Sequence, residues 1–190
     1  MCGIIGFTGN LQAPGILVDG LQQLEYRGYD SAGIAVNNGS ETKIVKTTGK
    51  VATLREKVEA TADLAGTCGI GHTRWATHGG VTEVNAHPHV SGNVTLIHNG
   101  IIENYKELAA SLKTKGFTAI SETDTEVAAM LIDSLYDGDP FAALKEADQM
   151  LEGAYGFCVM FKDHPGEIYC DEKRQSFSCF PYRRRIFYRF

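Results

Sequence analysis

The first residues of the chain constrain its fold more than any other stretch, because a cysteine directly follows the initiator methionine. Residues 3–8 are mainly apolar and bounded by glycine, which predicts a buried β-strand beginning immediately after Cys2. Aminopeptidases readily remove an initiator methionine when the next side chain is small, as it is here. The product would have Cys2 as its first residue, with a thiol and a free α-amine. Such an amine has a pKa of about 7.7–8.0 and can take a proton from the thiol. Cys2 is therefore a candidate nucleophile with its own base, and a buried structural cysteine is the alternative.

The overall composition is that of an ordinary globular domain. The chain has 190 residues, of which 43% are hydrophobic and 22% charged, enough for one domain with its own core. A formal net charge of −5 argues against nucleic-acid binding. No apolar run is long enough to span a membrane, and the N-terminus does not resemble a secretory signal. The five cysteines are odd in number and not closely spaced, so we expect free thiols in a reducing cytoplasm.

Hydrophobic periodicity and turn residues predict strands near both ends of the chain and helices mainly between them. The predicted strands are 3–8, 32–36, 42–47, 68–72, 94–98 and 153–162, and the predicted helices are 14–24, 51–60, 103–115, 124–136 and 140–151. Thr123 and Glu126 have the spacing of a capping box, with Thr123 as the N-cap. This order of elements predicts sheets that are covered by helices.

Three polar positions suggest a site for a small polar ligand. Arg74 follows a strand and can bind a carboxylate through two hydrogen bonds, although a surface ion pair is the ordinary alternative. Asn99 and Gly100 follow the predicted strand 94–98 and can form an oxyanion site, although Asn-Gly is also a common turn. Asp124 begins a helix, where it can bind an ammonium group or simply favour the helix dipole. Together with Cys2, these groups suit an amino acid with a reactive side-chain carbonyl, such as glutamine.

A metal or a nucleotide cofactor is not expected from the sequence. Several histidines lie close together in the chain, namely His72, His78, His87, His89 and His98. However, no helical His-x-x-x-His pair is present, and no cysteine stands at ligand spacing. Glycine-rich phosphate loops of the Walker or dinucleotide type are also absent from the sequence.

Six ordered motifs resemble one family of enzymes. They are Cys2-Gly3-Ile4, EYRGYDSAG (25–33), GHTRWATHG (71–79), NAHPH (85–89), HNGIIENY (98–105) and SETDTE (121–126). The set resembles the N-terminal glutaminase domain, of the class II glutamine amidotransferase type, of glutamine–fructose-6-phosphate transaminase, also called glucosamine-6-phosphate synthase. Amidophosphoribosyltransferase and asparagine synthetase share the Cys-Gly-Ile start, but the loop at 25–30 and the segment 73–78 fit the sugar enzyme better.

The resemblance implies an α+β fold of the N-terminal-nucleophile hydrolase type, a four-layer αββα sandwich of two antiparallel sheets between helices. It implies hydrolysis of glutamine to glutamate and ammonia through a cysteine thioester, for the synthesis of glucosamine 6-phosphate from fructose 6-phosphate. It also implies roles for eight residues of this chain. Cys2 would be the nucleophile, and Asn99 and the Gly100 N–H would bind the oxyanion. Arg74 would bind the glutamine carboxylate, and Asp124 would bind its α-amino group. Thr77 and His78 would line the substrate pocket, and Arg27 would lie in a loop near the nucleophile.

Two departures from the family pattern limit these expectations. The resemblance covers residues 2–169, and the sugar-isomerase domains that the family adds are absent, so sugar amination is not expected from this chain alone. Residues 170–190 form an atypical tail, and its last twenty residues hold six basic and six aromatic side chains. A shifted reading frame or a foreign segment fits this composition, and we expect no family-like strand pair from 171 onward. The glutaminase half of another amidotransferase and a catalytically idle remnant are the alternative functions, and a homo-oligomer is compatible with the sequence.

Overall fold

The computed structural model describes residues 2–76 and 79–174 and contains two four-stranded antiparallel sheets. The strands are β1 (Gly3–Thr8), β2 (Ser31–Asn37), β3 (Thr42–Thr48), β4 (Cys68–Arg74), β5 (His89–Ser91), β6 (Val94–Ile102), β7 (Gly153–Phe161) and β8 (Tyr169–Lys173). The helices are α1 (Ala13–Gln23), α2 (Val51–Ala60), α3 (Tyr105–Thr114), α4 (Asp124–Leu135) and α5 (Pro140–Met150), with a short 3-10 helix at Glu25–Arg27. The strand orders are β1-β4-β2-β3 in the first sheet and β5-β6-β7-β8 in the second.

Three apolar clusters show that the layers follow the predicted αββα order. The first sheet packs on α1 and α2 through a cluster that includes Leu17 and Ile34. The second sheet packs on α3, α4 and α5 through a larger cluster that includes Phe157. A third cluster joins the two sheets, with Ile70 from β4 and Ile97 from β6. The predicted four-layer α+β fold is therefore confirmed.

Strand β7 shows why its sequence is almost entirely apolar. Phe157 and Val159 lie in the cluster beneath the helices, whereas Cys158 and Met160 lie in the cluster between the sheets. Successive side chains of a strand point to opposite faces, so a strand buried on both faces needs apolar residues at nearly every position.

The start of α4 follows the capping pattern only in part. Thr123 is the N-cap, and its hydroxyl accepts a hydrogen bond from the Glu126 N–H at 3.2 Å. The Glu126 carboxylate accepts from the N–H groups of Ile120 and Ser121, which precede the cap. The carboxylate therefore orders the segment that leads into the helix.

Strand β6 is longer than predicted, and this changes the position of the Asn99-Gly100 pair. Strand β6 continues to Ile102, so Asn99 and Gly100 lie within it, opposite Gly156 and Tyr155 of β7. The prediction that they follow the end of a strand is therefore wrong. Gly100 has a φ of 128°, and a Cβ there would lie 2.1 Å from a backbone carbonyl oxygen of β7. Glycine thus permits a close approach of two strands at a dipeptide that local rules treat as a turn.

The segment after Tyr169 also differs from the prediction. Strand β8 pairs with β7 in antiparallel register, with Asp171 opposite Phe157 and Lys173 opposite Tyr155. The Lys173 ammonium group donates to backbone carbonyl groups at the end of α5 and just beyond it. The expectation that no strand forms from 171 onward is therefore wrong for residues 171–173. The rest of the predicted tail, 175–190, lies outside the described residues.

Candidate active site

Cys2 lies at the head of β1, next to the residues that follow β4. The two strands pair with Gly3 opposite Thr73, and the Gly3 N–H donates to the Thr73 hydroxyl at 3.0 Å. This register brings the Trp75 N–H to the Cys2 Sγ atom, to which it donates a hydrogen bond at 3.2 Å. The first and third sequence motifs therefore meet at the thiol.

The buried environment of the Cys2 thiol disfavours its thiolate form. Burial raises the pKa of the Cys2 thiol, while the hydrogen bond from Trp75 and the positive charge of Arg74 act in the opposite direction. A cysteine reacts as its thiolate, so a thiol with a raised pKa needs a nearby base to become a nucleophile.

The loop before β2 holds the segment that follows β4. The Asp30 carboxylate accepts a hydrogen bond from the Ala76 N–H at 2.5 Å, and the Asp30 N–H donates to the Arg74 carbonyl at 2.8 Å. Gly28, with a φ of 73°, lies so close to the Trp75 ring that a Cβ there would approach it to 2.9 Å. The tyrosine-rich motif thus positions the residue that contacts the thiol.

Asn99 reaches Cys2 from the second sheet. Its Nδ2 group donates to the Cys2 carbonyl oxygen at 3.4 Å, and its Oδ1 atom lies 2.9 Å from the His72 Nε2 atom. Gly100 follows and is exposed. The structure therefore brings together two of the predicted catalytic residues, Cys2 and Asn99, although they lie on different sheets.

Arg74 is the last residue of β4, and its side chain is buried. Only 3% of the residue is exposed, so the alternative of a surface ion pair is wrong. Its guanidinium group donates to the carbonyl groups of Gly80 at 3.2 Å and Gly79 at 3.4 Å. The glycine pair Gly79-Gly80, at the end of the motif, therefore contacts the arginine directly.

Asp124 occupies the first turn of α4 and is also buried. Its Oδ2 atom accepts a hydrogen bond from the Ile102 N–H at 3.0 Å, which ties the helix to the strand that carries Asn99. Two residues earlier, the Glu122 carboxylate accepts from the Gly80 N–H at 3.0 Å. Gly80 therefore contacts both Arg74 and Glu122, and this links the end of β4 to the start of α4, where Asp124 lies.

Sequence reasoning missed the role of the buried histidines. The rings of His72 and His87 stack with centroids 4.1 Å apart. His87 Nε2 and His98 Nδ1 lie 2.8 and 2.9 Å from the hydroxyl oxygen of Thr125. Burial lowers the pKa of His72 to about 3 and the pKa of His87 well below its usual value, so both rings are neutral. Their occurrence within three of the motifs was a signal, but it did not indicate which partners they contact.

Some expected features lie outside what the structure describes. Thr77 and His78 are not among the described residues, and the side chain of Arg27 is not described either. Within residues 2–76 and 79–174, no group of three or more His, Cys, Asp or Glu side chains is placed to hold a metal ion. In the same ranges, the helices are too short or too polar to cross a membrane.

Comparisons with known proteins agree with this geometry. A family model described as a glutamine amidotransferase domain matches residues 72–182, and so continues beyond Tyr169. Glutamine–fructose-6-phosphate aminotransferase (isomerizing) from Thermus thermophilus is 53% identical over 166 residues, which are 86% of this chain and 27% of that protein. The protein of the same name from Caldanaerobacter subterraneus subsp. tengcongensis is 49% identical over 175 residues, 91% of this chain and 29% of that protein.

A solved structure shows the same fold in a related enzyme. Glutamine phosphoribosylpyrophosphate amidotransferase from B. subtilis superposes with a TM-score of 0.73 at 30% identity, covering 85% of this chain and 35% of that one. The present chain spans only 27–29% of the length of the two curated relatives described above. Because the family model matches more than half of the chain, we conclude that the chain belongs to the glutamine amidotransferase domain family and is homologous to the glutaminase half of glucosamine-6-phosphate synthase.

Proposed function

We propose that this chain hydrolyses glutamine to glutamate and ammonia at Cys2. The observation that carries the proposal is the approach of the Asn99 amide to Cys2 from the opposite sheet. A cysteine thiol and a side-chain N–H donor on the same residue pair are two of the groups that amide hydrolysis by a cysteine requires, and the α-amine is the proposed base. Membership of the amidotransferase family supports glutamine as the amide.

The proposed reaction begins once Met1 has been removed. The α-amine of Cys2 takes the thiol proton, and the sulfur attacks the carbonyl carbon of the glutamine side chain. The carbonyl oxygen becomes negatively charged and accepts hydrogen bonds from the Asn99 amide and the Gly100 N–H. The carbon–nitrogen bond then breaks, and the protonated α-amine returns its proton to the departing ammonia. Water attacks the resulting thioester and releases glutamate and the free thiol.

Substrate recognition is assigned to groups on both sides of the thiol. Arg74 binds the glutamine α-carboxylate through its planar guanidinium group. Asp124 binds the α-ammonium group, and its position in the first turn of α4 favours a negative charge there. Thr77 and His78 complete the substrate pocket, and Arg27 contributes from the loop near the nucleophile.

The larger reaction follows from the relatives of this chain. Their name, glutamine–fructose-6-phosphate aminotransferase, indicates fructose 6-phosphate as the acceptor of the ammonia in those proteins. We propose that this chain supplies ammonia in the same way to sugar-isomerase domains, and that it does so in the cytoplasm. Identity of 53% to a sugar enzyme, against 30% to the phosphoribosylpyrophosphate enzyme, favours this assignment. We also propose that the chain forms a homo-oligomer.

The test is an assay for glutamate and ammonia with the mature chain. Cys2→Ala should abolish glutamine hydrolysis because the proposed thioester forms on the Cys2 sulfur. Cys170→Ala is the matched control, since it removes an exposed thiol from β8 and should leave the rate unchanged. Equal hydrolysis by the Cys2→Ala variant would overturn the proposal.

A further inference from the structure

A hydrogen bond between two side chains connects the two sheets at the candidate site. His72 lies on β4 of the first sheet and Asn99 on β6 of the second, and 2.9 Å separates His72 Nε2 from Asn99 Oδ1. His72 is completely buried, and Asn99 is partly buried. The other end of the Asn99 amide lies against the Cys2 carbonyl group.

The chemistry of these partners determines which atom donates in each contact. The Cys2 carbonyl oxygen can only accept, so Asn99 presents its NH2 group to Cys2 and its oxygen to His72. An amide oxygen also only accepts, so His72 must carry its proton on Nε2. Burial lowers the pKa of His72 to about 3, which leaves the ring neutral with a single N–H donor at neutral pH.

Neighbouring groups restrict the movement of the His72 ring. It stacks on His87, with ring centroids 4.1 Å apart and planes at 28°. His87 is held in turn, because its Nε2 atom lies 2.8 Å from the Thr125 hydroxyl oxygen in α4. A side chain whose position is held by packing and hydrogen bonds orients its own partner at little further entropic cost.

We propose that His72 is the positioning residue that orients the Asn99 amide, so that its NH2 group faces the oxyanion formed during attack by Cys2. This inference rests on the proposed function of Asn99. His72 acts through Asn99, and it neither touches glutamine nor transfers a proton. Without the His72 donor, the Asn99 amide rotates or tilts, and the oxyanion loses a preorganised hydrogen bond.

The main experiment is a double-mutant cycle on glutamine hydrolysis by the mature chain. His72→Phe keeps an aromatic ring on His87 and removes the N–H donor, together with the Nδ1 atom, which has no hydrogen-bond partner among the described residues. It should lower kcat by about 10- to 100-fold with little change in KM, because small misplacements of a catalytic group have effects of that size. In the Asn99→Ala background the same change should have no further effect on kcat, because its partner is already gone.

Two conservative variants separate hydrogen bonding from packing. His72→Gln places an amide NH2 at about the distance of Nε2 from the backbone, and it should recover much of the lost kcat. His72→Asn carries its NH2 group nearer the position of Nδ1, and it should recover little. Melting temperatures of all variants show whether a loss of kcat follows from unfolding.

A spectroscopic measurement tests the inference without any activity. In nitrogen-15 spectra of the mature chain at neutral pH, His72 should be the Nε2–H tautomer, with its signal assigned by its loss in His72→Phe. The Nδ1–H tautomer would overturn the inference. So would an equal drop in kcat when His72→Phe is made with and without Asn99, or equal rescue by Gln and Asn. If the parent chain releases no ammonia, the proposed function fails, and the tautomer still decides the role of His72.

Discussion

The two sheets contribute different kinds of groups to the candidate site. The first sheet supplies Cys2 and Arg74 at strand ends, where backbone groups of neighbouring loops contact them. The second sheet supplies Asn99 from within strand β6, and the adjoining helix α4 supplies Asp124. Each lies next to a buried histidine, Asn99 next to His72 and Asp124 next to His98. A nucleophile has to meet substrate and change its bonds, whereas an oxyanion donor works best when it does not move. We therefore expect changes at Cys2 and Arg74, on the side of the first sheet, to alter reactivity and binding, and a change at Asn99, on the side of the second sheet, to alter turnover.

Retention of Met1 should have the largest effect, because it removes the proposed base on the first side. Cys2 then has no free α-amine, and glutamine hydrolysis should fall by orders of magnitude. Intact-mass analysis would establish the N-terminus of each preparation, and the rate would be measured on the same sample. Treatment with a methionine aminopeptidase should restore activity. Full activity in a preparation that retains Met1 would remove the α-amine from the mechanism.

Asn99→Ala should have the next largest effect and tests the second side. Loss of one oxyanion donor typically reduces turnover by roughly 100- to 1000-fold. The KM for glutamine should change little, because the hydrogen bond strengthens only as charge develops on the oxygen. A raised KM with normal kcat would instead make Asn99 a residue that positions the substrate.

Arg74→Lys should have a smaller effect that is confined to binding. An ammonium group cannot reproduce two parallel hydrogen bonds to a carboxylate, so we expect about a tenfold rise in KM. Arg55→Lys is a matched control, because Arg55 pairs with Asp19 on the exposed surface at 2.7 Å. Steady-state kinetics on both variants would measure the difference. An unchanged KM in Arg74→Lys would exclude the carboxylate role.

Removal of residues 175–190, which leaves the edge strand β8 intact, should have the smallest effect on activity. A chain that ends at Arg174 keeps every hydrogen bond described for β8 and should retain the parent melting temperature. A chain that ends before Tyr169 loses this strand and the buried Tyr169 ring, and it should melt at a lower temperature. Thermal unfolding of the two truncations measures this contrast. If removal of residues 175–190 alone unfolds the domain, the hypothesis of a foreign tail is wrong.

Local sequence determined several elements almost completely. Strand β1 and helix α2 have the predicted bounds, because an apolar run bounded by glycine in one and a helical stripe in the other are properties of a few adjacent residues. The motifs also identified Cys2, Arg74 and Asn99 as members of one site before any contact was known. These residues carry chemical groups whose combination is uncommon outside such a site, and this is why sequence reasoning reached them.

Tertiary structure alone decided how those residues meet. Asn99 and Gly100 form part of β6 because β7, more than fifty residues later, pairs with them, and local rules see only a turn. His72 contacts Asn99 across 27 positions of sequence and between two sheets. Such a contact depends on how the sheets pack face to face, through apolar side chains such as Ile70 and Ile97. Residue propensity and sequence spacing contain no information on that packing, so the contact between His72 and Asn99 could be identified only in the folded chain.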